Sequence, residues 1–188
     1  AELQTHDRTK AGPTQSGQRR PGTQTAGASS QSSTTAAASS HPRWTLTSPA
    51  EASRFLAQAS YGSSPKDIKA LTGGTANEWI ETQFSRPATS LLNTMRYWRQ
   101  RRGPEGNKKV SELEDAHNAW WYSTVQQDQL RQRVAFALSQ IFVVSTNGDV
   151  SHFPKGIASY YDMLARNAFG NFRQLLEDVT LHPMMGVY

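Results

Sequence analysis

The chain has no cysteine, which excludes disulfides, thiolate zinc sites and cysteine nucleophiles, and fits either redox compartment. No apolar run approaches the roughly 18 residues that a membrane-crossing helix needs. Bulky apolar residues are almost missing from residues 1–43, where Leu3 is the only one. Ser, Thr, Ala, Gly, Gln and Pro fill that stretch, as in QTAGASSQSSTTAAASS. Such a segment cannot bury enough surface to offset roughly 1–2 kcal/mol of backbone ordering per residue, so a disordered tail or linker is expected there. Also missing are a glycine-rich phosphate loop, a G-x-S-x-G nucleophile elbow and an H-E-x-x-H zinc motif. No motif points to a cofactor.

What is present is charge, helix punctuation and a foldable region from Trp44 to Tyr188. The net charge is +5, and residues 1–43 carry five Lys/Arg against two acidic groups, leaving about +2 for the remainder. That weak excess argues against a dedicated nucleic-acid binder, which concentrates its charge. One basic cluster does occur, Arg96, Arg99, Arg101, Arg102, Lys108 and Lys109; Leu91, Leu92, Met95 and Trp98 give the same segment an apolar face, so the arginines read as its wet side. The chain opens on Ala-Glu without a charged–apolar–small leader. A Ser/Thr/Ala-rich spacer of this kind commonly follows a removed leader, so a periplasmic or secreted protein is expected.

Helix starts follow one another with one grammar. Ser48-Pro49-Ala50-Glu51, Ser64-Pro65-Lys66-Asp67 and Thr75-Ala76-Asn77-Glu78 each place a hydroxyl before the helix and an acid three residues on, which ties up orphan amide donors. Gly62, Gly73-Gly74 and Pro87 supply the stops. Leu91 to Trp98 continue at helical spacing, Gly103–Asn107 reads as a loop, and Leu113, Ala116 and Trp120 share the next helical face. From Val134 to Val144, nine of eleven residues are apolar, which predicts a buried central helix over Leu130–Val144. Its β-branched end, Ile141–Ser145, also suits a strand; the unbroken period of Leu130, Val134, Leu138 and Ile141 favours helix. Ile157, Tyr160, Tyr161 and Leu164 make the following helix. Asn171–Gln174 reads as another capping box, leading into Leu175, Leu176 and Val179, with Pro183 as the stop. The fold class expected is all-α: an irregular multi-helix bundle of about eight helices in residues 44–188 around one buried helix.

Read together, EASRFLAQASYG at Glu51–Gly62, DQLRQRVAFALSQIFVVS at Asp128–Ser145 and the Tyr160–Gly186 block with LLEDVTLHPMMG resemble the bacterial family known as domain of unknown function 1800. The resemblance spans most of residues 47–188. It implies a mostly helical, frequently exported protein, often encoded beside a sulfatase-like partner, and it carries no established catalytic residues. Members continue past the His-Pro-x-Met-Gly loop, so the resemblance also implies an N-terminal portion that exposes apolar surface around Val179–Tyr188.

Candidate site residues are few, and each has a plain alternative. Arg131 and Arg133 could clamp a carboxylate or phosphate, or form a structural bridge, Arg131 with Asp128. His117, beside Trp120-Trp121-Tyr122, could act as a general base next to a sugar-stacking platform, or sit in the core. His152 is a lone loop histidine. Asp178 and His182, four apart and near Met184 and Met185, could offer ligands to a metal such as copper; the plainer reading has Asp178 solvated and His182 capping helix-end carbonyls. Two function classes follow: an exported enzyme whose site is completed by further C-terminal residues, or a non-catalytic binding or assembly module for a protein partner. Convergence of these residues in one cleft favours the first, and their scatter favours the second.

Overall fold

The computed structural model describes residues 43–188, so the expected tail lies outside the described residues except for Arg43. The described part is all-helical: α1 Pro49–Ala59, α2 Pro65–Leu71, α3 Ala76–Phe84, α4 Leu91–Asn107, α5 Glu112–Ser123, α6 Gln129–Ile141, a 3₁₀ turn Asp149–His152, α7 Pro154–Asn167, α8 Phe172–Leu181 and α9 Pro183–Val187. Ser48 and Ser64 form reciprocal capping boxes with Glu51 and Asp67, and Thr75 Oγ1 accepts from Glu78 N–H at 3.2 Å. Gly73, at φ 87°, turns the chain so that its N–H bonds Leu46 O at 2.7 Å, and Leu46 N–H returns to Gly74 O at 2.9 Å. A minor core forms there from Leu46, Ala52, Phe55, Leu56, Leu71 and Ala76.

The buried helix at the centre is α7, not the Leu130–Val144 segment. Residues Tyr160 to Leu164 and Ala165 are buried in succession, and α7 packs against α4, α5, α6, α8 and α9. α6 buries only Gln132 and Ala135 and stops at Ile141, which stands 70 % exposed. The apolar window from Val134 to Val144 straddles a helix end: Phe142 leaves helical geometry and the β-branched Val143 and Val144 continue as a non-helical segment without strand pairing. α7 has the better claim to the centre because Gly156 and Ala158 allow close approach. A methyl at position 156 would collide with the buried Met184 side chain of α9.

Three smaller corrections have local causes. Gly103, at φ 70° and ψ 178°, breaks α4, but Pro104 starts a further helical turn where a loop was expected, because its fixed φ suits a first helical position. Asn171 caps α8 through Arg173 N–H at 2.8 Å, without the reciprocal Gln174 bond of a capping box. Pro183 does not merely end α8; it opens α9.

Two buried carboxylates join the helices. Asp162 on α7 accepts from Ser90 Oγ at 2.6 Å, Leu91 N–H at 2.7 Å and Leu92 N–H at 3.2 Å, capping α4 from across the core. Asp115 on α5 accepts from Arg99 at 2.7 Å and Arg102 at 2.5 Å on α4.

Candidate functional site

The side chains singled out from sequence do not converge. His117 is exposed, because the buried face of α5 runs through Asp115, Ala116, Ala119 and Ser123; it is neither a core histidine nor part of a cleft wall. His152 is exposed in the 3₁₀ turn. Arg131 forms no bridge to Asp128. Its guanidinium donates to Ala165 O at 3.3 Å and Arg86 O at 3.4 Å and lies over the Phe169 ring at 4.5 Å. Asp128 instead accepts from Thr89 N–H and Thr89 Oγ1, both at 2.7 Å, and from Gln132 Nε2 at 2.9 Å. Arg133 lies over the Tyr61 ring at 5.6 Å. Around the same turn of α6, the Tyr61 and Tyr161 hydroxyls both donate to Gln132 O, at 3.1 and 3.3 Å. Burial pushes both phenols up, so they stay protonated donors.

Asp178 spends both oxygens within the fold, accepting from Asn167 at 2.8 Å and Gln174 at 2.9 Å, bonds that hold its carboxyl below the ordinary range. His182 does not cap carbonyls with its ring. Its Nδ1 accepts Met184 N–H at 3.2 Å as the N-cap of α9, and Nε2 faces Ser159 Oγ at 3.5 Å. No group of three or more His, Asp or Glu side chains among the described residues is placed to hold a metal ion.

The His182 ring accepts a bond only when Nδ1 is unprotonated. Burial first, and Arg166 second, lower its pKa below the ordinary 6.5. A depressed pKa of this kind stabilises the fold above the ordinary value, and the stabilisation is lost as pH falls through the folded value. Thermal melts between about pH 7.5 and 4.5 should therefore fall more steeply for the wild type than for His182→Asn, which keeps an acceptor but does not titrate. Parallel curves would remove this role.

Two clefts remain. One, of about 260 Å³, is lined by Trp120, Phe136, Phe142, Val143, Ile157 and Tyr160 among others. Aromatic contacts extend it in both directions: Trp121, 66 % exposed, sits edge-on to Trp120 at 4.9 Å, and Phe142 meets the exposed Phe172 of α8 at 6.5 Å. Trp120 also approaches Phe136 at 5.7 Å, so one aromatic stripe runs from Trp121 through the cleft to Phe172. Trp120 and Trp121 thus belong to this apolar surface, whereas Tyr122 packs against Trp98 at 5.4 Å, and the His182 ring lies 5.1 Å from Tyr160 of the cleft. The other cleft, of about 240 Å³, is polar and lies between the α1–α2 connection, α3 and the α5–α6 junction.

A family model described as a protein of unknown function (DUF1800) matches residues 54–188. The chain belongs to that family. The match takes in the aromatic stripe, the polar cleft and the central helix of this DUF1800 chain. No curated protein and no solved structure matches it.

Sequence reasoning passed over Gln83, Asp115, Gln132 and Asp162, all buried. A signal was present. Gln83 follows Ala76, Trp79 and Ile80 on the inward face of α3, and Asp162 shares the inward face of α7 with Ala158 and Ala165. A polar residue on an apolar stripe marks either a satisfied structural bond or a site. No helix among the described residues of this DUF1800 chain is long and apolar enough to cross a membrane.

Proposed function

We propose that this chain is a non-catalytic binding and assembly module that docks a protein partner on the Trp121–Phe172 aromatic stripe, and that it works in the periplasm or outside the cell. The observation that carries the docking reading is a contrast. Arginine, histidine and aspartate candidates are each engaged separately or stand alone on the surface, whereas exposed aromatic and aliphatic side chains gather around one cleft. Ile141, Val143, Phe172 and Leu176 are all at least 40 % exposed beside it. Large rigid aromatics give most binding energy per residue at interfaces, and a cleft of this size accepts one or two apolar anchors. Export is supported by the family resemblance and by the Ser/Thr/Ala-rich leading stretch.

A sulfatase-like protein, of the kind encoded beside related chains, is the partner to test. Calorimetry of the full chain with that protein should show binding, and Phe172→Glu should weaken it at least tenfold without lowering the melting temperature, because Phe172 is 65 % exposed. Absence of binding by the wild type, or equal affinity of the variant, would remove the reading. Leu181, Val187 and Tyr188 are exposed as well, while Val179 is buried. They lie at the other end of α8 from Phe172, so Leu181→Ser serves as the control expected to leave affinity unchanged.

A further inference from the structure

The polar cleft has properties that folding alone does not require. Gln83 is 3 % exposed, and its Oε1 accepts Leu130 N–H at 3.3 Å. That bond fixes which end of the amide is which and turns the Nε2 donors toward the cleft that Gln83 lines, where they have no partner among the described residues. Those donors open onto the cleft itself, where an acceptor oxygen that enters can pair with them.

The rest of the wall is braced in the same way. Arg86 Nη1 donates to Gln127 O at 2.7 Å, which anchors one arm of the guanidinium and leaves Nη2 and Nε without a bond among the described residues. Asp67 Oδ2 takes both Ser64 N–H and Ser64 Oγ, at 3.0 and 2.6 Å, and its other oxygen accepts nothing among the described residues. Trp79 is held edge-on to Phe55 at 5.3 Å and 88°, so its indole is a fixed plane rather than a mobile flap. One carboxylate and one guanidinium cancel, and the remaining polar lining is glutamine and serine. The cleft therefore offers donors and acceptors together without net charge. Its volume of about 240 Å³ falls below the roughly 300–1,000 Å³ of sites for drug-sized ligands, so the occupant is small.

We infer that this cleft binds one ring of a neutral saccharide, with hydroxyls on Gln83, Arg86 and Asp67 and the ring's C–H face against Trp79. Neutrality matters because an anionic ring would meet the Asp67 carboxylate, and a cationic one Arg86. An apolar ligand would leave the buried Gln83 amide unpaired. A sugar ring has both of the required surfaces, alternating hydroxyls at its rim and an apolar face. The inference is independent of the aromatic stripe, since Trp79 and Gln83 lie on α3 and the stripe on α5, α6 and α8.

The test uses three neutral trisaccharides, maltotriose, cellotriose and tri-N-acetylchitotriose, with the full chain, followed by saturation-transfer NMR and calorimetry. At least one should bind, and Gln83→Leu should weaken it at least tenfold. Where melting curves show that Gln83→Leu has not folded, Arg86→Gln, on the half-buried loop after α3, carries the same expectation of a tenfold loss. Failure of all three probes to bind below about 10 mM, equal affinity in the folded variants, or selective binding of a galacturonate trimer instead would each overturn the assignment.

Discussion

Asp162→Ala is expected to unfold about 3 kcal/mol more readily than the wild type, read from urea titration followed by circular dichroism. The carboxylate supplements the Ser90 N-cap of a helix some seventy positions earlier in sequence: Ser90 Oγ, Leu91 N–H and Leu92 N–H all point at it, while Ser90 Oγ itself accepts Asn93 N–H at 3.1 Å. Leu91 is 3 % exposed, so its amide finds no water when the acceptor goes. Each buried donor left without a partner costs about 1–3 kcal/mol, and the loss also frees α4 from α7. Asp162→Asn retains one acceptor oxygen and should cost about half as much.

The pH dependence of this variant has a definite sign. Burial raises the Asp162 pKa above its ordinary value, outweighing the bonds from Ser90, Leu91 and Leu92 that act to lower it. The native state thus holds this proton more tightly than the unfolded chain. Its contribution is fully present below the ordinary aspartate value and declines as pH rises through the folded value. The stability difference between wild type and Asp162→Ala should therefore widen as the solution is acidified from neutrality. A difference that narrows would mean that the ionised carboxylate is the form the native state prefers.

Local punctuation was legible in sequence, and distant pairing was not. The caps at Ser48, Ser64 and Thr75 operate over three residues, so they can be read from a short window and they hold in the structure. The central helix was misplaced because hydrophobic composition does not see where a helix stops. Phe142, Val143 and Val144 share the composition of the helix they leave, yet they form the wall of a cleft. The neighbouring Pro154–Asn167 segment, with Lys155, Asp162 and Arg166, looks less apolar, but its small residues and its run of Tyr160, Tyr161, Met163 and Leu164 let helices close on it from several sides. Neither cleft was legible. The polar one joins Gln83 to Leu130, 47 residues apart, and the stripe joins Phe142 to Phe172 across a whole helix. The candidate residues of the sequence were chosen for charge and chemistry, whereas the structure uses those charges to satisfy backbone and aromatic groups. Arg131 illustrates the exchange: on α6 it looked like an anion clamp, and it serves as a brace between the carbonyls of Arg86 and Ala165.

Asp115→Ala is expected to cost about 3–5 kcal/mol, the range for removing one partner from a buried ion pair. One carboxylate, 1 % exposed, serves two guanidiniums on the preceding helix. Deleting it leaves two like charges facing each other between α4 and α5. The arginine side chains are 22 % and 25 % exposed, and Glu112 remains 3.5 Å from Arg99, so water and Glu112 recover part of the loss. Deleting either arginine is a different experiment. Arg99→Ala or Arg102→Ala leaves Asp115 paired with the other, and each should cost less than half of the aspartate variant. The asymmetry separates this network from ordinary surface pairs, which are worth about 0–1 kcal/mol whichever partner is removed. Because the carboxylate is buried, the loss should also persist at about 1 M salt, where exposed pairs are screened. Equal costs for the three variants, or a cost that salt abolishes, would place Asp115 among the surface charges and leave the α4–α5 contact to apolar residues such as Met95, Trp98, Ala116 and Ala119.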